Sequence, residues 1–168
     1  METGERTELE EDENTGLEFE DTVRIGADKA TLWSFISDPE ALAECIPGAE
    51  TVDRVSERKY TCTITRGISR MTISIDGELE MVEMNEPDWI LAEGSAFDSK
   101  TGSRFDVLAA MEMQPIDERV TNLSYTADLR YTGGISTLPG RVVRTAVKSD
   151  VDTYFENIKT RIESDADG

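Results

Sequence analysis

The sequence predicts an α+β domain: a curved antiparallel sheet of about seven strands wrapped on one long C-terminal helix, with two short helices after the first strand. Three observations carry this prediction. Between residues 59 and 131, successive segments alternate apolar and polar side chains and are separated by turn residues. Two short helical stripes follow the first strand, one on each side of Asp38-Pro39. A single apolar stripe then recurs at three- and four-residue steps from Leu138 to Ile162.

Each element has its own local signal. Leu17, Phe19, Val23 and Ile25 sit mostly at odd positions, as in a half-buried strand. Asp28 suits a helix N-cap and is followed by Leu32, Trp33, Phe35 and Ile36 on a core-facing side. Asp38-Pro39 ends that helix and opens the next, since proline fits a first helical turn. Leu42, Cys45 and Ile46 form a short stripe before Pro47-Gly48 turns the chain.

Tyr60, Cys62 and Ile64 alternate with three threonines, and Met71, Ile73, Ile75, Leu79 and Met81 share one parity, with a bend expected at Asp76-Gly77. Asn85-Glu86-Pro87-Asp88 reads as a turn, and Trp89 to Phe97 as a strand. Phe105, Val107, Ala109, Met111 and Met113 share a face, as do Leu123, Tyr125, Ala127, Leu129 and Tyr131 beyond a turn near Asp117-Glu118. Gly133-Gly134 ends the sheet. Ser136 or Thr137 is expected to cap a final helix of about 25 residues, ~37 Å at 1.5 Å per residue.

At 168 residues the chain is long enough for one domain with a real core. That domain is read as residues 17–164. It is preceded by an acidic tail, residues 1–16, expected to be disordered, and followed by a short acidic tail, residues 165–168. No apolar run approaches the ~20 residues of a spanning helix, and the N-terminus lacks a basic-then-apolar signal pattern. A cytoplasmic location is expected. The net charge is −19, with 12 arginines but only 5 lysines. The acids are dispersed, which favours a protein from a salt-rich cytoplasm over an acidic face built for one basic partner. Nucleic-acid binding, which needs clustered Lys and Arg, is disfavoured.

The chain has no histidine and only two cysteines. No Ser-His or Cys-His dyad and no imidazole metal ligand can therefore form, and no catalytic or metal residue is assigned. Cys45 and Cys62 read as buried free thiols rather than a disulfide or zinc site.

One amphipathic helix cannot fill the concave side of so long a sheet. A cavity between sheet, long helix and the two short helices is the expected by-product, and ligand pockets in general span ~300–1,000 Å³. By face and position its candidate walls are Trp33, Ile36, Ile46, Phe105, Met111, Tyr131, Leu138 and Val142, each of which reads alternatively as plain core. Asp38, Pro39, Leu42, Cys45, Pro47 and Gly48 are the candidate lid. Glu93 has ambiguous strand parity; facing inward, it would reach a ligand carbonyl or hydroxyl.

The element order and the segment Asp38-Pro39-Glu40-x-Leu42-x-x-Cys45-Ile46-Pro47-Gly48 resemble the carbon monoxide dehydrogenase G-subunit (CoxG) family, within the START-like, SRPBCC helix-grip superfamily. Gly133-Gly134 before the last helix and Trp33 in the first support the resemblance, which covers residues 17–164. It implies a non-enzymatic carrier holding a quinone or lipid-like molecule, without a covalently bound cofactor, and accessory to a molybdenum hydroxylase of the carbon monoxide dehydrogenase type. It equally implies a surface-acting assembly factor for that enzyme. A third option is a cyclase or hydrolase, reactions known on this fold, with a carboxylate base such as Glu93. Family members often extend past the last helix to touch membrane. Here Asp165 and Asp167 follow it, so membrane contact is expected to be transient at most. The family's glycine-rich strand is represented by Glu93-Gly94-Ser95-Ala96-Phe97, which is expected to reshape the pocket.

Overall fold

Alternation along the strands sorts the sheet into an apolar inner face and an acidic outer face, and every other element docks according to that sorting. The computed structural model describes residues 16–167; the tail read over residues 1–16 lies outside them except for Gly16, as does Gly168. Strand β1 (Gly16–Ile25) leads through α1 (Lys29–Ile36) and α2 (Pro39–Glu44) to β2 (Ala49–Arg54) and β3 (Lys59–Ile68). Then come β4 (Met71–Asn85), β5 (Trp89–Asp98), β6 (Ser103–Asp117) and β7 (Val120–Thr132). A 3-10 turn, Gly133–Thr137, precedes the 28-residue helix α3, Gly140–Asp167. Among the described residues these strands make one seven-stranded sheet, ordered β1-β7-β6-β5-β4-β3-β2, with every neighbouring pair antiparallel. The predicted α+β architecture is the one observed.

The capping signals work as read. Asp28 accepts a hydrogen bond from Thr31 N (2.9 Å) at the start of α1, and its bonds to Thr31 hold its carboxyl below the usual range. Asp38 accepts from Glu40 N (3.0 Å), with Pro39 in the first turn of α2. Three details differ from expectation. Strand β4 runs unbroken through Asp76-Gly77; its register shift falls between Met81 and Glu83. Gly77 is a small inner-face residue, paired with Cys62 and Ala96, rather than a bend. Ser136 and Thr137 do not act as the expected cap, because their hydroxyls donate to the carbonyls of Gly133 (2.6 Å) and Gly134 (2.7 Å) and brace the 3-10 turn. Helix α3 also continues past the last apolar residue of its stripe, Ile162, to Asp167.

The C-terminal half of α3 is packed tightly. Phe155 stacks on Tyr125 of β7 at 3.8 Å between ring centroids, an arrangement worth about 0.5–1.5 kcal/mol beyond its area burial. Ile158 and Ile162 are buried beside it. Lys159 Nζ donates to Arg24 O (2.7 Å), and Glu163 accepts from Gly26 N (2.8 Å), tying the end of β1 to the helix. Along the N-terminal half Val143 is fully buried, while Val142, Ala146, Val147 and Val151 pack against the core and remain partly buried.

The turn after α2 is fastened on several sides. Asn157 Nδ2 donates to Cys45 O (3.0 Å), Arg161 pairs with Glu44 (3.2 Å), and Thr65 N donates to Gly48 O (3.1 Å). Gly48 has φ +85°, and a Cβ there would lie 2.5 Å from Thr65 O and 2.7 Å from Arg66 Cδ. Both conformation and space therefore require glycine.

Gly48→Ala should accordingly destabilise by about 1–3 kcal/mol, read as a lower urea midpoint with unchanged slope. On the outer face Glu80 lies directly across from Glu93, and Glu18 from Asp128. Like charges so placed cost roughly 0.2–1 kcal/mol each and are screened by salt. Raising NaCl should therefore raise the melting midpoint, and Glu93→Lys should raise it at low salt while flattening the salt dependence.

Candidate functional site

The inner face carries a row of small residues across β3, β4 and β5. Cys62, Gly77 and Ala96 are consecutive cross-strand partners on β3, β4 and β5, and Gly94 faces Leu79 and Val107 on its neighbours. Large side chains surround this row but do not fill it. The result is an almost wholly apolar hollow of about 120 Å³, lined by Ile46, Tyr60, Cys62, Ile64, Leu79, Phe105 and Val107 with the small residues as its floor and Glu78 and Ser95 at its edge. It coincides with a division of the core. One cluster is built around α1, β1, β7 and α3; a second holds Ala43, Tyr60 and Cys62, with Ile46, Ile64 and Leu79 packed against it.

Larger hollows of 420–560 Å³ exist, but on the outer face, lined by carboxylates such as Glu78, Glu93 and Asp128 and open to solvent. They are furrows of a twisted sheet. The smaller inner hollow, though it too opens to solvent, is the better candidate because its walls are almost wholly apolar.

The candidate wall residues divide between core and hollow. Ile46 and Phe105 border the hollow. Leu138 and Val142 are partly buried against the main core, whereas Trp33, Ile36, Met111 and Tyr131 lie buried within it. In the 38–48 segment, Pro39, Leu42 and Cys45 are buried, Asp38 serves as a helix cap, and Ile46 is the member that reaches the hollow. Glu93 is exposed on the outer face, opposite Glu80 and Leu108, so the inward orientation does not occur. Tyr60, Cys62, Ile64, Gly77, Glu78, Leu79, Gly94, Ser95, Ala96 and Val107 complete the hollow without having been expected as its walls. The alternation of Tyr60, Cys62 and Ile64 is the sequence signal for them; what it lacks is the register placing Gly77 and Ala96 beside Cys62.

The thiols and phenols here are held neutral. Both cysteines are free and buried, and burial pushes both thiols up; Arg161 pulls Cys45 the other way but less strongly. Burial holds the phenols of Tyr60 and Tyr154 far above their ordinary range. Tyr60 is fully buried (0% exposed), and its hydroxyl has no hydrogen-bond partner; Tyr154, Cys62 and Cys45 surround it. Arg66, also on the inner side, is engaged by Asp150 of α3 (Nε–Oδ2 3.0 Å).

The arrangement is shared with solved structures. A conserved protein from Geobacillus kaustophilus superposes with a TM-score of 0.79 at 20% identity, covering 88% of this chain and 96% of that one. A START superfamily protein from Mycobacterium smegmatis gives 0.64 at 16% identity (88% and 97% covered). The Zhui aromatase/cyclase from Streptomyces sp. R1128 gives 0.62 at 14% identity (88% and 94%). These likenesses show the START-like fold. Comparison with curated protein sequences finds no match. The sequence model of the carbon monoxide dehydrogenase G subunit (CoxG) matches residues 22–163. The chain therefore belongs to the CoxG family.

Proposed function

We propose that this protein is a non-enzymatic carrier that holds a hydrophobic small molecule, quinone or lipid-like, between sheet and long helix. On this reading it serves a molybdenum hydroxylase of the carbon monoxide dehydrogenase type. The observation that carries the reading is the apolar hollow at the junction of two core clusters. Its 120 Å³ is below the ~300 Å³ of a typical ligand site. On this reading a larger ligand gains room by displacing partly buried side chains of α3, Val142 to Val151, which pack against the main core and do not line the hollow. Family membership supports a ligand-binding role, and the partnership with a hydroxylase is inferred from the family's name.

A second reading rests on a different observation. Phe97 and Leu108 are 48% and 44% exposed on the outer face. They would suit an assembly factor that docks through the sheet rather than through the hollow.

Protein purified in high salt should yield an apolar compound on organic extraction and mass spectrometry. An empty protein that also fails to bind a quinone on titration would sink the carrier reading. Gly77→Leu discriminates further. A Cβ at Gly77 meets its neighbours at ordinary distances, 3.4 Å to Ala96 Cβ and 3.8 Å to Cys62 Sγ, so the added side chain enters the hollow. The variant should stay folded by circular dichroism and lose ligand at least tenfold. If it still captures hydroxylase subunits while Phe97→Ser and Leu108→Ser abolish capture, the assembly reading is favoured. Ligand should also slow alkylation of Cys62, which lines the hollow.

A further inference from the structure

Among the described residues, one buried side-chain polar atom has no partner: the Tyr60 hydroxyl. Such an atom forfeits its hydration without compensation, and natural folds seldom leave one unexplained. Its place is informative. Tyr60 is fully buried on the inner face of β3, borders the hollow, and belongs to the small cluster on one side of it. The side chains nearest it are hydrocarbon, the two thiols and the phenol of Tyr154, while Glu78 and Ser95 sit at the edge of the hollow.

From this geometry we infer that the Tyr60 hydroxyl is the polar anchor of the hollow, donating a hydrogen bond to an uncharged oxygen, a carbonyl above all, on an otherwise apolar ligand. The inference rests on the carrier reading and specifies its ligand class. Neutrality follows from what surrounds the site. Arg66, on the same face of β3, is engaged by Asp150, and Arg161, near Cys45, by Glu44. An anionic head, such as a fatty-acid carboxylate, would enter an apolar space without a free cation to meet it. A carbonyl costs far less to bury and needs one donor, which Tyr60 supplies.

The test uses two compounds of one skeleton, 2,3-dimethyl-1,4-naphthoquinone and 2,3-dimethylnaphthalene, in equilibrium dialysis against delipidated protein. Ring positions 2 and 3 of the quinone are blocked, so the thiols of Cys45 and Cys62 cannot add there. Wild-type protein should prefer the quinone over the hydrocarbon by about tenfold, one good hydrogen bond. In Tyr60→Phe that preference should collapse while hydrocarbon affinity is unchanged. The ligand-free variant should melt about 2–4 °C higher, because the unpartnered hydroxyl is gone. An unchanged preference in Tyr60→Phe overturns the anchor and leaves the carrier reading standing. Failure of both compounds to bind wild-type protein overturns both. If Tyr60→Phe does not fold, the infrared carbonyl band of the quinone bound to wild-type protein decides. A component shifted below its position in hexane supports the anchor, and an unshifted band overturns it.

Discussion

The hydrogen-bonded register of β3, β4 and β5 is the constraint on which the rest depends. Strand side chains alternate with a period of two, so a slip of one residue exchanges the faces. The observed register brings Cys62, Gly77 and Ala96 into one inner row and sends Thr61, Glu78 and Ser95 to the outside. Were Gly77 on the outer face, its place inside would be taken by Asp76 or Glu78, and the hollow would hold a carboxylate. The seam also explains why the core is two clusters. The small residues Cys62, Gly77, Gly94 and Ala96 leave a gap that the larger side chains around them do not close.

The same alternation separates the electrostatics. Glu18, Glu80, Glu93 and Asp128 are exposed on the outer face, and the lysines and arginines that answer them are few. Inside, the Arg66–Asp150 pair joins β3 to α3, and the floor formed by Cys62, Gly77, Gly94 and Ala96 carries no charged side chain. Salt therefore acts on the outer face, where screening reaches, and leaves the apolar interior's preference for neutral guests untouched. A salt-rich environment is one in which such an outer face is least costly.

Much of the fold is legible in the sequence because it is written locally. Asp28 and Asp38 cap the helices they precede, Pro39 starts α2, and the alternation of each strand names its own inner residues. The hollow is not legible in the same way. Its floor comes from three strands, and a sequence shows which residues of one strand share a face but not which residue lies opposite. Gly77 is the instructive case: beside Asp76 it has the signature of a bend, yet it extends a 15-residue strand. Trp33, Ile36, Met111 and Tyr131 qualify as walls by face and position, but every inner-face residue does so, and most of them are simply core. Ser136 and Thr137 show the same limit at a helix end, since a hydroxyl that can accept from an amide can also donate to a carbonyl.

Solved structures on this fold include an aromatase/cyclase, so the chemistry of the wall matters more than its shape. The titratable groups at this wall are Tyr60, Cys62 and the exposed Glu78 at its edge, with Tyr154 and Cys45 close by, and burial keeps the phenols and thiols protonated. A protonated thiol is a poor nucleophile, and a phenol held far above its ordinary range is a poor general acid and no base at neutral pH. What these groups retain is the ability to donate a hydrogen bond without becoming charged. That property suits recognition of a neutral oxygen, because the donor neither ionises in response to its guest nor needs a counter-ion when the guest leaves. The burial that weakens Tyr60 as an acid or base thus leaves its capacity as a hydrogen-bond donor intact.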